Sequence, residues 1–527
     1  MLPTDVVNLK KSTLQWSLAH HERFGDTDIF PRPFEYASIR DQWSILLPEL
    51  EAANIVKWQT SAFRRALTPK SRFGFRTATQ LAPLDSIVFL GLVYEIAKDL
   101  ESTRDPSGSL RVFSHRVKRS ADDGQLYDPT WNFDRFKEQM KFSCNGNYQG
   151  GWVVSTDVAD FYSRIYHHPL ENQLRAATEM QSHVDAIMHL LSQWNFTVSS
   201  GLPVGPAASR ILAEMALVDV DRTLSDQGID YCRFSDDFRL FARSEREAHE
   251  RLAILATALG ESHLTLSERK TDIVTTERYV ARHLDGERPG DAPSLAGQVA
   301  SILEKYGYEN DVYSETELEE LPEQMVEELD DLDLNAILRE QSSDSRSYDV
   351  FIVSLALRRL AQIHDDALVE LVVDNLSKFT PVFPQTINYF ERVVPSERRR
   401  DLGTRLLQSA VEGASGHREY QLAWLLDLFT ADAAWATADD LQKLLSSTTS
   451  VVVRPKLIEA LGVRGQVHWF RQQRTQVLTL NAWEMRAFIK GAASSLRADE
   501  YVPWIKSLRP RLDSLGRAVA AKVKVGP

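Results

Sequence analysis

Apolar residues along this 527-residue chain follow two different periods, and the change between them divides it. Between about 150 and 285, short runs of strand character, Gly151–Thr156 and Tyr231–Ala242, alternate with amphipathic helical stretches, the texture of an α+β domain. From about 336 onward helical spacing takes over. Val353, Leu357, Leu360 and Ala361 fall at i, i+4, i+7 and i+8, and Leu422, Leu425, Leu426 and Phe429 at i, i+3, i+4 and i+7. Thr380-Pro381, Val394-Pro395, Gly413 to Gly416 and Arg509-Pro510 cut this region into helices of roughly 10 to 16 residues. No sharp repeated consensus is visible. Stacked helical hairpins of the HEAT type are the expected arrangement, with an irregular helical bundle as the alternative. The chain is therefore expected to divide into an N-terminal part (1–125), a mixed domain (126–290), a connector (291–335) and an all-α region (336–527).

The longest apolar run, Ile87–Tyr94, is far shorter than the ~20 residues of a membrane span. The N-terminus has no apolar signal-peptide core, and Cys144 and Cys232 are the only cysteines. A reduced, cytoplasmic protein without a membrane partner is expected. The composition, 43% hydrophobic and 26% charged, is that of ordinary globular material, and the net charge of −13 seems to argue against a polyanionic partner. Its distribution reverses that argument. Twelve acidic residues and no Lys or Arg lie between Glu309 and Asp333, so the rest of the chain carries about −1. That stretch reads as a solvated connector. Basic clusters at Lys57, Arg64, Arg65, Lys70, Arg72 and Arg76, then at Arg111, Arg116, Lys118 and Arg119, are interleaved with Phe63, Phe73, Phe75 and Phe113, which suits backbone-tracking and stacking contacts to nucleic acid.

Four pieces carry candidate chemistry. Tyr231-Cys-Arg-Phe-Ser-Asp-Asp-Phe-Arg-Leu-Phe-Ala242 reads as two short strands around a tight Ser-Asp-Asp turn. Two adjacent carboxylates repel unless a cation neutralises them, so Asp236 and Asp237 ask for a divalent metal. Upstream, Val153-Val-Ser-Thr-Asp157-Val-Ala-Asp160-Phe161-Tyr162 ends a strand on Asp157, a third carboxylate for a cradle holding two Mg²⁺, with Mn²⁺ as a substitute. Asp160 is expected at a helix start or on the surface. Gly201-Leu-Pro203-Val-Gly205-Pro206 is a turn that feeds a helix through Glu214 and lets backbone approach a ligand. Lys270, 33 residues past the acidic pair, can meet phosphates. His20-His21 and His167-His168 have no partners at zinc spacing, and no Gly-x-x-x-x-Gly-Lys, His-Glu-x-x-His or Gly-x-Ser-x-Gly motif is present.

In this order and spacing, with 79 residues from Asp157 to Asp236, the pieces resemble the palm motifs of reverse transcriptases. Asp157 with Phe161 and Tyr162, Gly201 to Glu214, Phe234 to Asp237, and Lys270-Thr271 are similar to four successive motifs of that family. Gly25 to Glu35, Gly-Leu-Pro-Val-Gly-Pro with Ser209-Arg210, and a helical C-terminal region resemble the bacterial abortive-infection and defence-associated group. The resemblance covers about residues 20 to 285 by motif and the rest by architecture only. It departs from templated enzymes at Val204, where they usually carry Gln, and Phe234 stands for the commoner Tyr.

The resemblance implies a right-hand fingers and palm fold, α+β, followed by an all-α helical-repeat domain. It implies a DNA polymerase of reverse-transcriptase type acting on dNTPs in antiphage defence. Asp157, Asp236 and Asp237 would bind the metals and act catalytically with Lys270. Phe161, Pro203 and Gly205 would line the nucleotide site, Tyr162 would lie under the sugar and reject a ribose hydroxyl, and Arg116 and Lys118 would hold the triphosphate. Synthesis in that group is implied to start on a protein hydroxyl, in some members without a template. The DNA product would then be attached to the protein. Among 15 tyrosines, Tyr36, Tyr348, Tyr420 and Tyr501 are candidates and none is singled out. Two other readings stay open: copying of a dedicated noncoding RNA, and a scaffold whose helices bind a protein. A homo-oligomer through the helical region is expected.

Overall fold

The computed structural model describes residues 6–27, 29–70, 74–118, 123–195, 197–284, 298–299, 302, 323–343, 348–412 and 418–522. The chain divides into two compact units. Unit 1 comprises Met1–Asp26, Glu49–Thr60 and Asp85–Glu309, and unit 2 Thr27–Pro48, Ser61–Leu84 and Asn310–Pro527. These limits differ from the linear division at 125, because two early stretches fold with the C-terminal helices. Most of the acidic stretch 309–333 lies outside the described residues, which resume with the helix Glu323–Asp330.

Unit 1 is built on a four-stranded antiparallel sheet of order β4-β5-β3-β6, with β3 Trp152–Asp157, β4 Tyr231–Phe234, β5 Asp237–Ala242 and β6 Asp272–Thr275. Period-2 alternation fixes what each face carries. Across β3 and β5, Val153 opposes Phe241, Ser155 opposes Arg239 and Asp157 opposes Asp237. One face therefore passes from apolar to polar to acidic along its length. Its apolar end joins a core of Phe113, Phe136, Met140, Cys144, Cys232 and Val274 under the helix Phe133–Asn145. The helix Glu245–Glu261 also packs on β3 and β5. Arg111–Phe113 extends the sheet past β4: Phe113 N donates to Arg233 O at 3.0 Å and Arg233 N to Arg111 O at 2.7 Å.

The apolar run Ile87–Tyr94 lies in the helix Pro83–Thr103, where residues from Ile87 to Val93 on every side are buried. A helix that is apolar all round belongs in a core, and this one serves unit 1. Among the described residues no helix is long and apolar enough to cross a membrane.

In unit 2, Val350–Gln362, Phe383–Val393, Arg418–Ala431, Val453–Val463, Ala482–Ser495 and Ser514–Lys522 each pack on the next, while Ser396–Glu412, Ala438–Ser447, Val467–Gln473 and Ala498–Leu508 pack against this row. Alternate helices in file are the stacked-hairpin arrangement rather than an irregular bundle. The early stretches are tied to it by long-range contacts. β1 (Arg64–Pro69) and β2 (Phe75–Gln80) form an antiparallel hairpin, and β1 packs on Arg418–Ala431. Trp483 Nε1 donates to Ala62 O at 2.6 Å, and the Arg64 guanidinium lies 3.5 Å from the Trp483 ring centre. Arg486, fully buried, donates to Glu35 at 3.0 Å.

Candidate active site

β4 and β5 form a hairpin whose last registered pair is Phe234 with Asp237, so the turn consists of Ser235 and Asp236 alone. Asp237 is already the first residue of β5, one position further into the sheet than a Ser-Asp-Asp turn would put it. Ser235 takes the left-handed region, φ 55°, which such a short turn demands. The turn is tied to the end of β3 by Val158 N, which donates to Asp236 O at 3.1 Å. Asp157 ends β3 directly opposite Asp237. Opposed residues of an antiparallel pair share a face with Cβ atoms about 5 Å apart. The backbone thus gathers the three carboxylates at one end of the sheet.

Each of the two paired carboxylates has its own cation. Lys270, in the short helical turn Glu268–Lys270, donates from Nζ to Asp157 Oδ2 at 2.6 Å, and Ser267 N donates to Asp157 O at 2.7 Å. Arg239 grips Asp237 with two nitrogens, Nη1 to Oδ1 at 2.7 Å and Nη2 to Oδ2 at 3.1 Å, and donates from Nε to the Tyr279 hydroxyl at 2.8 Å. The Lys270 side chain is 54% exposed. Only the lysine end is open, the Asp157 side chain being 9% exposed, so Lys270 can swing out into water and leave the carboxylate to a divalent cation. Burial, the largest single influence on Lys270, lowers its pKa. The bond to Asp157 and the charges of Asp157, Asp237 and Asp236 together outweigh it, so the ammonium is held above its usual range. Lys270 therefore feels all three acids.

The Gly-Leu-Pro loop lies against the segment after β3. Leu202 N donates to Tyr162 O at 2.9 Å, and Gly201 N to Ile165 O at 2.8 Å. Gly201 (φ 91°) and Gly205 (φ 131°) hold backbone angles that a side chain would strain. Pro203 is buried, Gly205 half-buried, and Pro206 caps the helix Ala207–Met215. Phe161 is buried beside Tyr162, ring centres 5.7 Å apart. Burial is the main cause that raises the Tyr162 phenol's pKa. The Arg210 charge opposes it and the Asp236 charge reinforces it, so the ring stands among groups of the acidic end and stays neutral. Asp160 starts the short helix Phe161–Arg164 with its side chain exposed.

Arg116 is placed differently from a phosphate-binding cation. It is 3% exposed, and its nitrogens donate to Val112 O at 3.1 Å, Glu101 Oε1 at 2.9 Å and Asp105 O at 2.7 Å. Lys118, in contrast, is exposed, and its N donates to Leu126 O at 3.0 Å. Three of the four paired histidines are used structurally: His20 Nδ1 bonds Gly124 O at 2.7 Å, His21 Nε2 bonds Ser86 Oγ at 2.9 Å and His167 Nε2 bonds Gly201 O at 2.9 Å, while His168 is exposed. Arg239 escaped the sequence reading although its place two residues after Asp237, on the same strand face, announces it.

Among the described residues no three His, Cys, Asp or Glu side chains converge as a ready-made metal cluster, and Asp157 and Asp237 are bonded to Lys270 and Arg239 instead. Their chemistry nonetheless suits Mg²⁺: hard carboxylate oxygens only, on like-charged side chains whose present counter-ions, Lys270 and Arg239, a divalent cation would compete with.

No curated protein matches the chain. Among solved structures, a telomerase from Candida albicans in complex with a fragment of telomeric RNA is similar at 10% identity, over 74% of this chain and 71% of that one, with a TM-score of 0.30. A score that low carries no weight for the fold. Residues 107–299 match the family of reverse transcriptases (RNA-dependent DNA polymerases). That span holds Asp157, Tyr162, the Gly-Leu-Pro loop, Asp236, Asp237 and Lys270, so this part of the chain is a reverse transcriptase domain and the protein an RNA-directed DNA polymerase by class.

Proposed function

We propose that this domain joins dNTPs into DNA by phosphoryl transfer at Asp157, Asp236 and Asp237, and that the protein does so in antiphage defence. The observation that carries the site is the register of β3 on β5, which sets Asp157 opposite Asp237 beside the Ser235–Asp236 turn. Asp157 and Asp236 would hold two Mg²⁺ ions, with Asp237 in support. When bound, Mg²⁺ activates the attacking 3′ hydroxyl and neutralises charge on the departing pyrophosphate. Lys270, already raised in pKa, stays cationic and adds positive charge beside the phosphates. Tyr162, with the Phe161 ring beside it and its carbonyl bonded by the Gly-Leu-Pro loop, would close the sugar pocket.

The defence role, protein priming and synthesis without a template rest on the resemblance to the abortive-infection group, and Val204 in place of the template-contacting Gln supports the last of them. Tyr36, Tyr420 and Tyr501 are each under 5% exposed, which argues against them as priming residues in this conformation. Tyr348 is half-buried. The helical row of unit 2 is the expected site of self-association.

One experiment addresses the whole reading. Pure protein is incubated with Mg²⁺ and each labelled dNTP, with and without nuclease pretreatment, and the product is run before and after proteolysis. Label that shifts on proteolysis and survives nuclease pretreatment supports protein-primed, untemplated synthesis. Loss of product after ribonuclease, with one defined RNA in the preparation, supports copying of a dedicated noncoding RNA. Replacing Asp236 and Asp237 by Ala should abolish incorporation, and retained synthesis defeats the assignment of the site.

A further inference from the structure

The Ser235–Asp236 turn is held by more than its two strands. Ser235 is a non-glycine residue in the left-handed region, a conformation that persists when its surroundings over-determine it. Its N–H donates to Ser114 Oγ at 2.7 Å, and its carbonyl accepts from Arg233 Nη1 at 3.1 Å. Ser114 Oγ donates in turn to Glu214 Oε1 at 2.5 Å. The other oxygen of Glu214 accepts from Arg233 Nη1 at 2.7 Å and Arg104 Nη2 at 2.8 Å. Arg233 also grips Asp221 through Nε and Nη2, at 2.8 and 2.7 Å, and Arg104 donates to the carbonyls of Ser114 and His115 at 2.8 and 3.0 Å. His115 Nδ1 stands 3.3 Å from Glu214 Oε1.

Ser114, Glu214, Arg233, Arg104 and Asp221 are each at most 4% exposed. Two arginines and two acids sealed from water cost several kcal/mol per ion in desolvation, and a well-packed apolar replacement is often as stable. Stability alone is a poor reason for such a cluster. What it does achieve is geometric: it ends on the backbone N–H and carbonyl of Ser235, the residue that precedes Asp236 in the turn.

We propose that Ser114 and Glu214 are positioning residues for the metal site. Glu214 fixes the Ser114 hydroxyl, which receives the Ser235 N–H and so holds the backbone of the turn that carries Asp236 at the end of the sheet where Asp157 and Asp237 pair. Burial, the largest influence on Glu214, works against ionisation. Arg233, Arg104 and His115 overcome it and leave its carboxyl well below the usual range, so the anchor remains charged at any working pH. The inference rests on the assignment of Asp236 as a metal ligand.

The test is the Mg²⁺ dependence of nucleotide incorporation. Ser114→Ala should raise the half-saturating Mg²⁺ concentration and lower kcat by about 10-fold each, the size of effect seen when a metal ligand loses its outer partner, with KM for dNTP little changed. Ser114→Thr against Ser114→Val separates the hydroxyl from packing, since the two side chains have the same shape. Thr should keep most of the wild-type Mg²⁺ dependence and Val should not, with both checked for folding by thermal unfolding. Equal behaviour of Thr and Val, or an unshifted Mg²⁺ dependence in the Ala variant, overturns the relay. Asp236→Ala runs alongside: if it stays active the metal assignment fails, whereas a dead Asp236→Ala with a normal Ser114→Ala leaves that assignment standing and removes only the relay.

Discussion

Asp157 and Asp237 face each other as a registered pair across β3 and β5, and each is held by a cation from a different place in the chain, Lys270 for the first and Arg239 for the second. Like charges on one strand face destabilise it unless compensated. Lys270 and Arg239 supply that compensation here, and Mg²⁺ would compete with them. Arg239 is anchored by Tyr279 as well, while Lys270 is half in water and the easier to displace.

Lys270→Met therefore separates two effects of opposite sign. Without the ammonium, Asp157 has no competitor for the metal, so half-saturation should move to lower Mg²⁺. The charge that meets the phosphates is lost too, and kcat should fall by about 100-fold, the usual cost of removing one such group. A Mg²⁺ titration of labelled dNTP incorporation reads both numbers. A variant in which both stay at the wild-type value would take Lys270 out of the site.

Tyr162 is expected to act by bulk and not by its hydroxyl. Burial holds the phenol neutral and above its ordinary range, which removes it from acid–base chemistry. Tyr162→Phe should therefore preserve the preference for dNTP over rNTP. Tyr162→Ala should lower that preference by about 10-fold or more, the scale of a shape contact in a pocket. Competition between labelled dNTP and rNTP measures the ratio, and an unchanged ratio in the Ala variant excludes the steric role.

Arg116 and Lys118 lie two residues apart and should fail in different ways. Arg116 bridges Glu101 and two carbonyls from a buried position, while Glu101 keeps Arg104, so Arg116→Ala should destabilise the protein by about 1–3 kcal/mol and leave KM for dNTP unchanged in the folded fraction. Lys118 is exposed, and Lys118→Glu should raise KM for dNTP with little change in melting temperature. A rise of KM in the Arg116 variant with normal stability would reverse these assignments.

Much of the site could be read from the sequence because its signals are local. A strand ending on Asp157, a two-residue turn before Asp237, and a Gly/Pro loop before a helix all follow from residues within a few positions of one another. Lys270 came from its spacing alone. What escaped were partnerships over long separations. Glu214 looks like an ordinary polar position of an amphipathic helix until Arg104 and Ser114, 110 and 100 residues earlier, are folded against it. Arg116 looked like a free cation because charge in a sequence says nothing of Glu101, 15 residues away, or of burial. In the same way the β1–β2 hairpin, basic and aromatic, read as part of the N-terminal domain. Trp483, 419 residues after Arg64, stacks on that arginine's guanidinium, and no local pattern carries the contact.

His20 gives the protein a defined sensitivity to mild acid. Its ring is 5% exposed and bonds Gly124 O through Nδ1. Burial, only partly opposed by that bond, lowers its pKa from 6.5 to about 4, with the Arg210 charge acting in the same direction. The folded state thus keeps the imidazole neutral where the unfolded chain takes up a proton. The contribution to stability is complete above about pH 6.5 and is lost as pH falls toward 4, where it would total about 3 kcal/mol. Between pH 7.5 and 5 the loss should be about 2 kcal/mol, read as a fall in the urea midpoint. His20→Asn keeps a donor for Gly124 O and cannot titrate, so its stability should fall by about that much less over the same interval. If the variant and the parent lose stability equally between these pH values, His20 is not buried in its neutral form and the acid sensitivity lies elsewhere.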